Sequence, residues 1–136
     1  MYPTFQHVCD QLLEATRADR ITLRLDGDGL HVDLPAAEAR RTGVRSLLGE
    51  AGLDQRALAT VRWLDAERRL LVQPGFTGDP MPPQELIDVY GVRAQMLGPL
   101  VKDGEMYGWL SVHSLTPREW TAGDQAALAQ AIEELS

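Results

Sequence analysis

Asparagine is absent from this chain of 136 residues, and cysteine occurs once, at Cys9. A single thiol excludes a disulfide framework within the chain, a two-cysteine redox pair and the cysteine-rich zinc sites. Lysine is nearly absent too: Lys102 stands alone beside twelve arginines, a compositional bias that carries no mechanism by itself. Positive charge as a whole is outweighed, 13 basic residues against 20 acidic ones for a formal charge of −7, which opposes binding to nucleic-acid backbones and to anionic membranes. No apolar run approaches the roughly 18 residues of a membrane span, and the opening MYPTFQHVCDQ lacks the positive and apolar regions of a secretory leader. The expectation is a soluble cytoplasmic protein. Its length suits one domain, residues 1–136, able to bury roughly two-thirds of the surface its unfolded chain exposes.

Hydrophobic spacing sets the elements. Phe5, Val8, Cys9, Leu12 and Leu13 make one stripe of a helix from about Thr4 to Thr16. Ile21, Leu23 and Leu25 alternate with Thr22 and Arg24, the pattern of a half-buried strand; after the Asp26-Gly27-Asp28-Gly29 turn, Leu30, Val32 and Leu34 alternate again, predicting a hairpin that Pro35 ends. Ala36 to Leu53 has no clean period and reads as short helix and loop. Asp54 is placed to cap a helix carrying Leu58, Val61 and Leu64 to about Ala66, followed by a strand at Leu70-Leu71-Val72. Pro82-Pro83 opens a short helix through Leu86, Ile87 and Tyr90, closed by Gly91. Gln95–Val101 and Met106–His113 flank Lys102-Asp103-Gly104-Glu105, a strong hairpin signal. Two helix starts compete at Thr116-Pro117-Arg118-Glu119 and Thr121-Ala122-Gly123-Asp124; a short turn at Pro117 and a main helix capped at Thr121 fit the stripe of Leu128, Ala131, Ile132 and Leu135. The order implies an α+β domain whose antiparallel sheet carries helices on its faces.

The C-terminal third resembles the GAF domain family, small-molecule-binding sensory modules related in fold to PAS domains. The likeness rests on Ala94-Gln95-Met96-Leu97-Gly98-Pro99-Leu100-Val101, then Asp103-Gly104-Glu105, then Tyr107-Gly108-Trp109-Leu110-Ser111-Val112-His113, then Pro117-Arg118-Glu119-Trp120-Thr121 with Asp124. The resemblance implies a central antiparallel sheet of five or six strands with helices on both faces and the N- and C-terminal helices packed together. It places a ligand pocket under the loops of the other face. Family members bind cyclic nucleotides, linear tetrapyrroles, haem, amino acids, 2-oxo acids or nothing known. Three subfamilies are set aside: the cyclic-nucleotide signature needs Asn, bilin attachment needs a cysteine in the second half, and the methionine sulfoxide reductases need several cysteines.

Candidate site residues follow. Trp109, Ser111 and His113 share one strand face, a polar and aromatic pocket wall, unless His113 serves a local hydrogen bond. Arg93 has the planar fork to hold a carboxylate or phosphate, with Tyr90 and Gln95 beside it, unless it pairs on the surface with Asp88 or Glu85. Trp63 covers the pocket or packs in the core. His7, His31 and His113 lie on separate elements, so no metal or other cofactor is expected, and the i, i+2 spacing of His7 and Cys9 defeats a dyad. Arg40, Arg41 and Arg45 form one basic patch and Arg68 with Arg69 another, solvated faces or contacts for a protein partner.

The leading expectation is a sensory or regulatory domain with no output domain attached, binding a small organic ligand with an anionic group as one option, through Trp63, Tyr90, Arg93, Gln95, Trp109, Ser111 and His113. A homodimer through the terminal helices and a signalling partner accompany it. The alternative is a ligand-free interaction or dimerisation module. An enzyme ranks third, because no nucleophile–base pair or acid dyad is evident.

Overall fold

The computed structural model describes residues 4–50 and 52–136. Five antiparallel strands form one sheet in the order β2-β1-β5-β4-β3: β1 (Arg20–Leu25), β2 (Ala37–Arg40), β3 (Leu71–Gln73), β4 (Ala94–Lys102) and β5 (Glu105–Ser114). Helices α1 (Phe5–Thr16) and α4 (Ala122–Leu135) pack together against one face. A 3₁₀ turn at Gln55–Ala57, α2 (Ala59–Glu67) and α3 (Gln84–Asp88) belong to the other.

The helix ends follow local chemistry. The Thr4 hydroxyl accepts from the His7 amide and starts α1. At α4 the Thr121 hydroxyl accepts from the Asp124 amide while the Asp124 carboxylate accepts from the Thr121 amide, a closed capping box. The β4–β5 hairpin turns on Asp103 and Gly104, both at positive φ, which is what its two-residue turn demands. Along β5, Gly108 faces the carbonyl of Arg24 so closely that a Cβ would lie 2.2 Å from that oxygen; this glycine lets β1 approach.

Five local expectations are corrected. Leu30–Leu34 is not a strand: Asp28-Gly29 makes a tight turn bridged by Gly27 and Leu30, but Val32 is fully buried while Leu34 is 49% exposed, so the residues do not share one face. Val32 is tied down at both polar atoms, its amide donating to Asp26 Oδ1 and its carbonyl accepting from Arg24. Pairing with β1 resumes only after Pro35, where Ala36 donates to Leu23 and β2 begins. The helix expected from Asp54 is split, with the 3₁₀ turn first and α2 starting at Ala59 after Leu58; Asp54 makes no side-chain cap. Helix α3 ends at Asp88, leaving Tyr90 beyond it, and no helical turn forms at Pro117. Finally, β1 is buried at every residue rather than half-buried, because β2 and β5 flank it and layers cover both its faces.

Candidate functional site

Alternation along the strands sorts the sheet into an apolar face and a polar one. Ile21, Leu23 and Leu25 of β1 face α1 and α4 together with Leu110 and Val112 of β5 and Met96 and Leu100 of β4. The intervening residues point the other way, and the register aligns them in rows. One row across all five strands reads Arg40, Arg20, His113, Gln95 and Gln73; the next reads Glu38, Thr22, Ser111, Leu97 and Leu71; a third sets Arg24 beside Trp109 and Pro99.

These rows floor a cavity of about 60 Å³. Thr22, Arg24, Gln95, Trp109, Ser111 and His113 line it from the sheet. Leu47, Glu50, Leu53, Gln55, Leu58 and Val61 close it from the segment that runs into α2, and Pro83, Glu85, Leu86 and Tyr90 from α3 and its exit. That volume holds a handful of non-hydrogen atoms and falls far short of the 300–1,000 Å³ of pockets for larger ligands.

The electrostatics of the floor are unbalanced. Arg20 has no exposed surface and Arg24 is 5% exposed, yet among the described residues neither has a carboxylate within ion-pair distance. Glu38, on the same face, is already committed: its carboxylate accepts from Ser46 Oγ at 2.6 Å and the Leu47 amide at 2.7 Å, and pairs with Arg40 Nε at 3.2 Å. Among the described residues Arg20 is held by long contacts, 3.4 Å to the Arg45 carbonyl and 3.4 Å to His113 Nδ1, and its Nη2 has no hydrogen-bond partner. Arg24 donates to the Val32 carbonyl at 2.8 Å. Burial pulls both guanidinium groups below their ordinary values, Arg24 to about 10, which leaves Arg24 charged at neutral pH. Between them the Thr22 hydroxyl is buried without a hydrogen-bond partner among the described residues.

His113 completes the arrangement. A guanidinium has only donors, so the contact from Arg20 Nη1 assigns the lone pair to Nδ1 and the proton to Nε2. Burial, then the charges of Arg20 and Arg24, hold the imidazole well below its ordinary pKa and therefore neutral. At the roof, Tyr90 donates to Glu50 Oε2 at 2.8 Å, and two guanidinium groups lie over its ring, Arg20 at 5.5 Å and Arg45 at 5.4 Å from the centroid. Burial and the Glu50 hydrogen bond push the Tyr90 hydroxyl up from its ordinary pKa.

Of the seven residues proposed from sequence, Tyr90, Gln95, Trp109, Ser111 and His113 come together around this cavity. Gln95 spends its amide on Gln73 Oε1 at 2.9 Å, in a chain that continues from Gln73 to the Pro80 carbonyl. Arg93 is a correction: it is exposed and its Nη1 donates to the Ile87 and Val92 carbonyls, tying down the exit of α3. Trp63 is another: it is partly buried against the cluster that includes Val61 and Leu64, with the Arg69 guanidinium over its ring, and does not line the cavity. Sequence reasoning missed Arg20, Thr22, Arg24, Glu50 and Glu85. The first three carried a signal, since the alternation in Arg-Ile-Thr-Leu-Arg-Leu sets them on one face. Their burial depends on the roof, which has no period in the sequence.

Elsewhere, Cys9 is buried against the sheet and its thiol is pushed up to about 12 by burial, an inert side chain. Among the described residues no group of three His, Cys, Asp or Glu side chains is placed to hold a metal ion, and no helix is long and apolar enough to cross a membrane.

No curated protein matches the chain. Among solved structures, the chromophore-binding domain of an unusual bacteriophytochrome from R. palustris superposes with a TM-score of 0.74 at 21% identity, over 96% of this chain and 51% of that one. The blue-light-absorbing form of the PixJ GAF domain of Thermosynechococcus elongatus gives 0.73 at 21% identity, over 97% of this chain and 78% of that one. The chromophore-binding domain of the Stigmatella aurantiaca bacteriophytochrome gives 0.72 at 22% identity, over 98% of this chain and 53% of that one. The chain thus spans about half the length of the two bacteriophytochrome domains, and at these identities the likeness shows the fold. The GAF domain family model matches residues 3–136, essentially the whole chain, and the protein belongs to the GAF domain family.

Proposed function

We propose that residues 1–136 form one sensory GAF domain that binds a small anionic organic molecule between the polar face of its sheet and the roof of α2, α3 and the segment before them. One observation carries the reading: the buried guanidinium of Arg24 lines the cavity, that of Arg20 lies beside His113 at its floor, and among the described residues neither has a carboxylate within ion-pair distance. A buried charge without a partner is costly, and an anionic ligand removes that cost. Arg24 and the Thr22 hydroxyl hold the acidic group, His113 Nε2 and Ser111 donate further hydrogen bonds, and Trp109 and Tyr90 supply the aromatic walls. The anchor sits on β1, in place of Arg93. Reporting needs a second conformation of lower affinity, and the roof is the element whose position a ligand would bias. Dimerisation through α1 and α4, where Val8, Leu12, Ala15, Ala127 and Ala131 line a shallow groove, belongs to the same proposal.

Native mass spectrometry of freshly purified protein tests it. The expected result is an extra mass that disappears on denaturation, is lost in Arg24→Met and is retained in Arg93→Ala. A bare mass in the unaltered protein, with no change of melting temperature in a panel of small carboxylates, refutes it.

A further inference from the structure

The cavity has two ends of opposite sign. Its floor is cationic, with Arg24 lining it and Arg20 immediately behind His113. Its roof is anionic: Glu50 and Glu85 both line the cavity, and among the described residues neither is paired with a cation. Glu50 accepts from Tyr90 and keeps acceptor capacity to spare; Glu85 makes no side-chain hydrogen bond among the described residues. Arg45 lies over the Tyr90 ring and is not part of the lining. Arg56, next to the lining residue Gln55, is turned to Asp26. A second observation comes from the floor, where the fully buried Thr22 hydroxyl is aimed into the cavity without a partner.

We infer that this site takes a small zwitterion, one molecule carrying both a carboxylate and a protonated amine, with the carboxylate on Arg24 and Thr22 and the ammonium under Glu50 and Glu85. A purely anionic ligand would satisfy the floor and leave two carboxylates of the roof facing it. A purely cationic one would meet two guanidinium charges. Only a ligand with both charges matches both ends, and a cavity of about 60 Å³ favours the smallest such molecules. The inference rests on the anion-binding reading above and adds the amine to it.

Matched pairs separate the two. Melting temperature and calorimetric affinity are measured with L-alanine, L-serine, L-valine and L-aspartate, each beside the acid that lacks only its amine: propionate, 3-hydroxypropionate, 3-methylbutanoate and succinate. The expected result is that at least one amino acid binds about tenfold more tightly than its partner acid, the size of one charge-assisted hydrogen bond. In Glu85→Gln, which leaves the Tyr90–Glu50 bond in place, that advantage is lost while the partner acid binds as before. If the acids bind as well as the amino acids, or if Glu85→Gln keeps the advantage, the zwitterion inference is overturned and the anion reading stands. If no compound of either series binds, both are overturned.

Discussion

The two faces of the sheet are built from alternate residues of the same strands, and they differ in almost every physical respect. Toward α1 and α4, Ile21, Leu23, Leu110, Val112, Met96 and Leu100 form an interior with no polar side chain among them. One residue out of register, Arg20, Thr22, Arg24, Ser111, His113 and Gln95 are buried just as deeply. The first face gains stability from every methylene it hides, at about 25 cal/mol per Å². The second hides charges and hydroxyls whose partners are incomplete, which lowers stability and leaves the groups available. Burial alone therefore does not distinguish core from site; the count of satisfied polar atoms does.

Substitutions and pH can break this comparison or sharpen it. The largest effect is expected on the apolar face, where Leu110→Ala removes a fully buried side chain between α1, α4 and the neighbouring strands and should cost about 3 kcal/mol or more in denaturant unfolding. A loss under about 1 kcal/mol would mean that this interior is loosely packed.

Next in size is the response to acid, which reads the polar face. The unfolded chain protonates His113 near its ordinary value of 6.5, whereas the folded protein resists until lower pH. The unfolded state therefore holds more protons as the pH falls, and stability should drop between about pH 6.5 and pH 5 by up to about 1.4 kcal/mol per unit. Above pH 6.5 this contribution is fully present. In His113→Gln the slope over that window should flatten; an unchanged slope would assign the acid sensitivity to other groups.

The smallest and sharpest test compares two buried threonines. Thr16, at the end of α1, donates to the Leu12 carbonyl at 2.8 Å and accepts from the Ala18 amide, so Thr16→Val should lower stability by about 1 kcal/mol. Thr22 makes no hydrogen bond, so Thr22→Val should raise the stability of the ligand-free protein by about 1 kcal/mol while weakening ligand binding. Equal losses in both variants would show that the Thr22 hydroxyl is satisfied in solution and would erase the difference between the faces.

Sequence periodicity located most elements, and the reasons for its failures are local. At Leu30–Leu34 an alternating pattern looked like a strand, but Arg24 and Asp26 took both polar atoms of Val32 and left the neighbours outside. On β5 the alternation of Trp109, Ser111 and His113 was legible because it continues for ten residues with a glycine and a turn fixing its register. Arg93 and Trp63 misled for a different reason: each is the right residue type near the right element, and only the direction of its side chain removes it from the cavity.

What the chain determined by itself is local and periodic: the helices with their threonine caps, the Asp-Gly hairpin, the two-faced strands and the α+β order, all fixed by interactions between residues a few positions apart. What only the tertiary structure decided is which polar face would be roofed. The stretch from Ala36 to Leu53 has no clean period, yet it brings Leu47 onto Glu38 and Glu50 onto Tyr90 and leads to Leu58, which lines the cavity with Trp109. That closure turned an ordinary solvent-facing alternation into two buried guanidinium groups with no carboxylate in ion-pair distance among the described residues, Arg20 and Arg24, and one buried hydroxyl, Thr22. Burial and desolvation come from contacts between residues distant in the chain, so no local pattern encodes them.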